Sequence, residues 1–163
     1  MSARPIVFLD VDGVLNSKRW YEGPEYARDA SLVATGRLAK REASFDPAAV
    51  GRLRRLVLEV DAIIVLTSTT RLTEGAEEVT RFLVRRGFPE AAGRMAGVTP
   101  WFHEVKERHR EIEALLTLCP GAPFVVLDDE LHASVGDRTV ICGAHVGLTD
   151  AGVERALAVL RGQ

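Results

Sequence analysis

The stretch IVFLDVDGVLN, residues 6–16, opens with four apolar residues and then sets two carboxylates, Asp10 and Asp12, two positions apart and directly before Gly13. A short apolar run ended by charge reads as a strand buried on both faces, the pattern of a parallel sheet. Two like charges at the mouth of such a strand repel each other and lose hydration unless a cation sits between them. A strand that simply reaches solvent and turns at Gly13 carries the same residue types, because aspartate and glycine are common in turns. The rest of the chain has to decide between a turn and a site.

The same design returns at APFVVLDDE, residues 122–130, where an apolar run ends in Asp128 and Asp129. A third run, AIIVLT at 62–67, ends in Thr67 and Ser68. Between these runs the period changes to that of helices. At 45–60, FDPAAVGRLRRLVLEV offers Asp46 as a cap, Pro47 at the first helical position, and Val50, Leu53, Leu56, Val57 and Val60 along one stripe. Thr73 is expected to cap a further helix through EEVTRFLVRR, with Val79, Phe82 and Leu83 on one face and Gly87 as its stop. GRMAGVTP at 93–100 is expected to hold a short edge strand, residues 104–118 a helix, RTVIC at 138–142 the last strand, and GLTDAGVERALAVL the last helix behind Thr149. Residues 17–45, with Gly23, Pro24 and Gly36, read as a polar excursion from the core with at most a short helix.

Strands alternating with helices predict an α/β fold: a three-layer, Rossmann-like parallel sheet covered on both faces. In such a sheet ligands bind beyond the carboxyl ends of the strands, near the point where strand order reverses. Asp10, Asp12, Thr67, Ser68, Asp128 and Asp129 all fall at or just past such ends.

The composition fits a globular protein: 163 residues, 47% apolar and 27% charged, with 21 basic residues against 23 acidic ones. That length suits one domain, taken as 1–163 with a small insertion at about 17–45, and allows a substantial core. The near-neutral balance argues against strong non-specific adhesion to nucleic acid or anionic membrane. No long apolar run follows a basic segment at the start, so neither a signal peptide nor a membrane anchor is expected. Cys119 and Cys142 lack CxxC spacing, which points to reduced core thiols and a cytoplasmic protein.

Four ordered motifs resemble those of the haloacid dehalogenase (HAD) superfamily of phosphohydrolases: DVDGVLN, VLTS, the basic helix VKERHREI, and VVLDDE. Within it, FLDVDGVLN, LTSTTR, RHREI and the late GLT are most similar to the small HAD domain of multidomain RNA-repair proteins, although that group usually has Trp where this chain has Thr70. The resemblance implies a HAD-like sheet with minimal or no cap, since the segments after the first and second motifs leave no room for a large one. It implies a phosphatase, with Asp10 as the nucleophile that forms an aspartyl-phosphate. Asp12, which separates phosphatases from dehalogenases in the superfamily, is implied as the acid and base. Thr67 matches the hydroxyl donor to phosphate, and Ser68 offers a second. The implied cofactor is Mg2+, held by a carboxylate of Asp10, the main-chain carbonyl of Asp12 and Asp128, with Asp129 on a metal-bound water.

The third motif crowds Lys106, Arg108 and Arg110 on one helix. Arg108 lies four before Ile112 and seven before Leu115, on their sheet-facing stripe, and is chosen on that phase. Lys106 stays the alternative, because lysine is usual in the wider superfamily. Arg71 reads as an anion ligand at the rim or as a partner of Glu74. His103 and His109 are six apart, off the spacing of a helical metal pair. His132 and His145 fall in expected loops near the active edge and read as substrate contacts or as solvated residues. Trp20 and Tyr21 either stack on a base or pack the excursion onto the core, beside the basic Arg28, Arg37, Lys40 and Arg41. The substrate is then a phosphorylated nucleic-acid end, or alternatively a nucleotide or other small metabolite. A non-catalytic binding domain on the same fold is the competing class.

Overall fold

The computed structural model describes residues 3–102 and 107–162. Strand β1 (Ile6–Leu9) is the centre of a parallel sheet whose other described strands are β2 (Ile63–Leu66), β3 (Met95–Val98), β4 (Phe124–Asp128) and β5 (Thr139–Ile141), in the order β3-β2-β1-β4-β5. β1 pairs with β2 on one side and β4 on the other, so strand order reverses beside it. That reversal is where such sheets open a crevice for ligands.

Alternate side chains of the strands feed opposite faces of the sheet. Val7, Leu9, Ile64, Leu66, Val125 and Leu127 pack in the larger core. This face is covered by helices α4 (Pro47–Glu59), α5 (Gly75–Arg85) and α7 (Asp150–Arg161). Ile6, Phe8, Val65 and Val126 face a smaller core closed by α6 (Arg108–Leu116) and the short 3-10 turn Ala133–Arg138. The sheet is thus covered on both faces, unequally.

The helix signals hold where a cap and an apolar stripe coincide. Asp46 accepts a hydrogen bond from the Ala48 amide at 2.8 Å, Pro47 takes the first position of α4, and Val50, Leu53, Leu56 and Val57 are fully buried. Thr149 caps α7 by accepting from the Gly152 amide at 3.1 Å. Thr73 does not cap α5. Its hydroxyl donates backward to the Thr70 carbonyl at 3.2 Å, and Glu74 stands at the cap without a capping bond from its side chain. Thr73 belongs instead to the 3-10 turn Thr69–Leu72, which carries the chain away from β2. The predicted helix at 104–118 is observed from Arg108, and its residues 104–106 lie outside those described.

Residues 17–45 are more ordered than their composition suggests. They form α1 (Lys18–Tyr21), α2 (Pro24–Ala34) and α3 (Lys40–Ala43). Ser17 caps α1 through the Trp20 amide, and Pro24 opens α2, which buries none of its residues. Tertiary ion pairing replaces an apolar stripe there, as Asp29 of α2 meets Arg86 at 2.7 Å. Trp20 does not stand out for base stacking. It is buried, and its indole Nε1 donates to the Ala43 carbonyl at 3.1 Å, tying α1 to the end of α3. Tyr21 is more exposed and packs edge-on against Tyr26. Among the described residues no helix is long and apolar enough to cross a membrane.

Candidate active site

Strand register builds the site. Leu9 pairs with Leu66 and with Leu127, so the next residues, Asp10, Thr67 and Asp128, leave three adjacent strands side by side. Backbone bonds extend the ladder past the strands: the Asp10 amide donates to the Leu127 carbonyl and the Thr67 amide to the Leu9 carbonyl, both at 2.9 Å. All three residues are buried. The chain then turns sharply after β1. Gly13 takes φ +80°, and a Cβ there would lie 2.7 Å from the Asp129 side chain, so only glycine lets this turn pass so close to the second acidic pair. The Gly13 amide donates to Asn16 Oδ1, and Asn16 Nδ2 donates to Asp12 Oδ1, each at 2.8 Å.

One carboxylate oxygen from each of Asp10, Asp128 and Asp129 lies within 4.8 Å of the others. Arg108, the first residue of α6, reaches into this group from the helix. Its Nη1 stands 2.5 Å from Asp128 Oδ2 and 3.4 Å from Asp10 Oδ1. One guanidinium faces three carboxylates, and the imbalance registers in their titration. Burial pushes the Asp10 carboxyl up to about 7, Arg108 pulling it back while Asp128 and Asp129 add to the rise and a hydrogen bond with Ser68 opposes it. Asp129 is also raised, by burial and by the charge of Asp128. Burial acts the same way on Asp128 but is outweighed by His132 and Arg108, which hold it below the usual carboxylate range.

Three hard oxygen donors with excess negative charge are a donor set suited to a divalent cation of the magnesium or calcium kind. Beside them the Thr67 hydroxyl is buried and makes no hydrogen bond among the described residues. A buried polar atom without a partner is costly in a folded protein and calls for an explanation such as a ligand. Against this geometry, a scan of family models matches residues 6–153 to the HAD domain in Swiss Army Knife RNA repair proteins. The chain belongs to this family. No curated protein and no solved structure matches it significantly. Membership makes the chain a HAD-type hydrolase, with the aspartate cluster as its candidate catalytic centre.

Other expected residues take different places around the HAD centre. Asp12 is not part of the three-carboxylate group. Its side chain is half exposed and is clamped by Arg41, whose Nη1 and Nη2 meet Oδ1 at 2.9 Å and Oδ2 at 3.1 Å. Burial works against ionisation of Asp12, but the hydrogen bonds from Arg41 and Asn16 win and hold its carboxyl below the usual range. Ser68 Oγ shares a hydrogen bond with Thr70 Oγ1 at 3.0 Å, and Thr70 Oγ1 accepts from Arg41 Nη2 at 2.5 Å. A chain of polar contacts therefore runs from Asp10 through Ser68, Thr70 and Arg41 to Asp12.

Arg71 is neither at the rim nor paired with Glu74. Its side chain is 2% exposed and forms an ion pair at 2.6 Å with Glu111 of α6, itself 3% exposed. It also donates to the carbonyls of Thr67 and Ser68 and lies over the Trp101 ring. These contacts make it a brace behind the site. His132 is not solvated: its Nε2 sits 2.9 Å from Asp128 Oδ2, and its side chain is largely buried. Both the His132 and the Arg41 contacts were missed because the side chains come from loops and an insertion whose path no periodicity reveals. Arg110 is exposed and pairs with Glu107 of its own turn. Lys106 and His103 lie outside the described residues. Both cysteines are free, and burial pushes the Cys142 thiol up to about 12.

Proposed function

We propose that this HAD domain is a magnesium-dependent phosphatase that hydrolyses a phosphomonoester at a nucleic-acid end. The observation that carries this reading is the convergence of three carboxylates, one deeply placed arginine and one unpartnered hydroxyl at the reversal point of the sheet. Asp10 serves as nucleophile and forms an aspartyl-phosphate, which water then hydrolyses. Thr67 donates its free hydroxyl to a phosphoryl oxygen, with Ser68 beside it. Arg108 offsets the charge that builds up on the phosphoryl group. Asp12, once released from Arg41 and protonated, gives its proton to the leaving oxygen and then takes one from the attacking water. Asp10, Asp128, Asp129 and the main-chain carbonyl of Asp12 would hold Mg2+, which when bound neutralises phosphoryl and carboxylate charge that Arg108 alone cannot.

The substrate reading rests on the family and on the open site. We read residues 1–163 as one domain in which the insertion α1 to α3 is too short to close over a ligand. Specificity in an open site has to come from contacts further along the substrate. Exposed Arg28, Arg37 and Lys40 on this insertion supply positive charge for a phosphate backbone. A phosphorylated oligonucleotide should therefore be hydrolysed with higher kcat/KM than the matching mononucleotide, only with Mg2+ present, and added salt should shrink the difference. Phosphate release from both substrates, with and without a chelator, checks this. A mononucleotide or sugar phosphate that performs equally well without salt dependence would make the protein a small-metabolite phosphatase. Absence of turnover on any phosphomonoester with Mg2+ would refute the catalytic reading.

The arginines of α6 give a sharper test. Arg108→Ala removes a charged contact at the phosphoryl site and should lower kcat/KM by roughly 30-fold to 1,000-fold. Arg110→Ala, on the exposed side of the same turn, should change it by no more than about threefold. Steady-state kinetics on an aryl phosphate separates the two, and equal effects would dismiss Arg108 as the phosphate's cation.

A further inference from the structure

The clamp on Asp12 has features that a simple anchor does not need. Both carboxylate oxygens of Asp12 are engaged by one guanidinium, and Oδ1 is held in addition by Asn16. The guanidinium comes from α3 of the insertion, outside the sheet that builds the centre. The clamped residue lies two positions past Asp10 and faces solvent with about half of its side chain, while Arg41 keeps 25% of its own exposed. A planar fork of N–H donors that fits a carboxylate in bidentate fashion fits a phosphate equally well.

α3 does not depend on this contact for its position. The Glu42 carboxylate, buried, accepts from Arg85 at 3.1 Å, and the Glu42 carbonyl accepts from Arg86 Nε at 2.9 Å. The Ala43 carbonyl takes the Trp20 indole, and the Ser44 hydroxyl donates to the Arg41 carbonyl at 2.6 Å. The backbone that follows Arg41 is thus fixed by other residues. The Arg41 side chain can exchange one anion for another while α3 stays in place.

We propose that Arg41 is the receptor for a second phosphate on the substrate, one carried by the leaving group close to the ester oxygen that is cleaved. The inference rests on the phosphatase reading and names the substrate class: phosphomonoesters whose alcohol fragment bears a further phosphate, either as a free bisphosphate or as the next phosphodiester of a strand. Binding of that phosphate draws Arg41 off Asp12 and leaves the Asp12 side chain free to face the ester oxygen. A substrate with a single phosphate leaves the clamp shut. The exposed Lys40, the residue before Arg41, adds a second positive charge to α3.

The test compares adenosine 3′,5′-bisphosphate and a 3′-phosphorylated dinucleotide with adenosine 3′- and 5′-monophosphate in the presence of Mg2+. Wild type should favour the substrates with a second phosphate by roughly tenfold or more in kcat/KM, the range expected for one charge-assisted phosphate contact. In Arg41→Ala the ratio should fall to within about threefold of unity, and Arg41→Lys should keep part of it. If only the dinucleotide is favoured, the source is a strand, and if both are, a free bisphosphate suffices. A wild-type ratio near one, or a ratio that survives Arg41→Ala while the melting temperature falls, would reduce Arg41 to an anchor. Binding of adenosine 3′,5′-bisphosphate to the Asp10→Asn protein, measured by calorimetry with and without Arg41→Ala, needs no turnover. Loss of roughly tenfold in that affinity supports the receptor even if no phosphomonoester is hydrolysed, and no loss overturns it.

Discussion

Asp10→Asn should yield a folded protein whose phosphatase turnover falls on the order of 1,000-fold or more and whose metal-free form melts higher than wild type at neutral and alkaline pH. The amide keeps the size of the carboxylate but is a poor nucleophile and a weak ligand for a hard cation. The stability gain follows from the charge imbalance at the centre. Folding raises the Asp10 pKa from 3.8 to about 7, so the folded state prefers the proton that the unfolded chain has already lost. The stabilising contribution of the protonated group is complete below about pH 3.8 and is lost as pH rises through about 7. Each pH unit of displacement is worth about 1.4 kcal/mol, and the variant's amide forgoes this loss because it does not ionise. Asp128, held low, has given its full contribution by about pH 5 and does not reverse the trend. The difference in melting temperature between variant and wild type should therefore be negligible below about pH 3.8, reach roughly a third of its full size at pH 5 and level off above about pH 7, and millimolar Mg2+ should narrow it by stabilising wild type. Equal melting across this range would remove the electrostatic account, and retained aryl-phosphate turnover would remove the covalent one.

The second large effect is expected behind the site. Arg71→Ala and Glu111→Ala should each cost about 3–5 kcal/mol, because either one leaves a buried charge without its partner. Such a loss is a large share of the roughly 5–15 kcal/mol that holds a domain of this kind together. Two further sets of groups lose partners with them. Without Arg71 the carbonyls of Thr67 and Ser68 lose a donor, and without Glu111 the Phe102 amide loses its acceptor, Glu111 Oε1 at 3.1 Å. Replacing both by apolar residues of similar volume, Arg71→Met with Glu111→Leu, should cost much less than the two alanine variants combined. Urea denaturation of the set measures the coupling, and single losses below about 1 kcal/mol would show the pair to be solvated.

The sheet and its acidic edge were legible in the sequence because β1, β2 and β4 are buried on both faces and so read as unbroken apolar runs. Register then did the rest, since strands that begin in step also end in step. The direction of Arg108 was readable from helical phase, a local property. Arg71 was misplaced for the opposite reason: the Glu111 that pairs with it lies 40 residues away, and nothing near Arg71 in the chain announces it. His132, four residues past Asp128 in an irregular turn, and Arg41, 29 residues past Asp12, fall under the same limit. The insertion hid its helices because the half-buried stripe of α2, Tyr26, Asp29, Ala30 and Val33, mixes polar with apolar residues and none of them is fully buried. Thr73 looked like a cap until the 3-10 turn after β2 claimed its hydroxyl.

A helix without a fully buried residue has an evolutionary consequence. Apart from Tyr26 and Asp29, which meet Tyr21 and Arg86, most of residues 24–34 can be exchanged for other helix-compatible polar residues with little effect on the packing beneath, whereas a single methylene lost from Leu9, Leu66 or Leu127 is felt at once. Mutational drift is thereby channelled into the insertion that also carries Arg41 and kept out of the strands that aim the carboxylates.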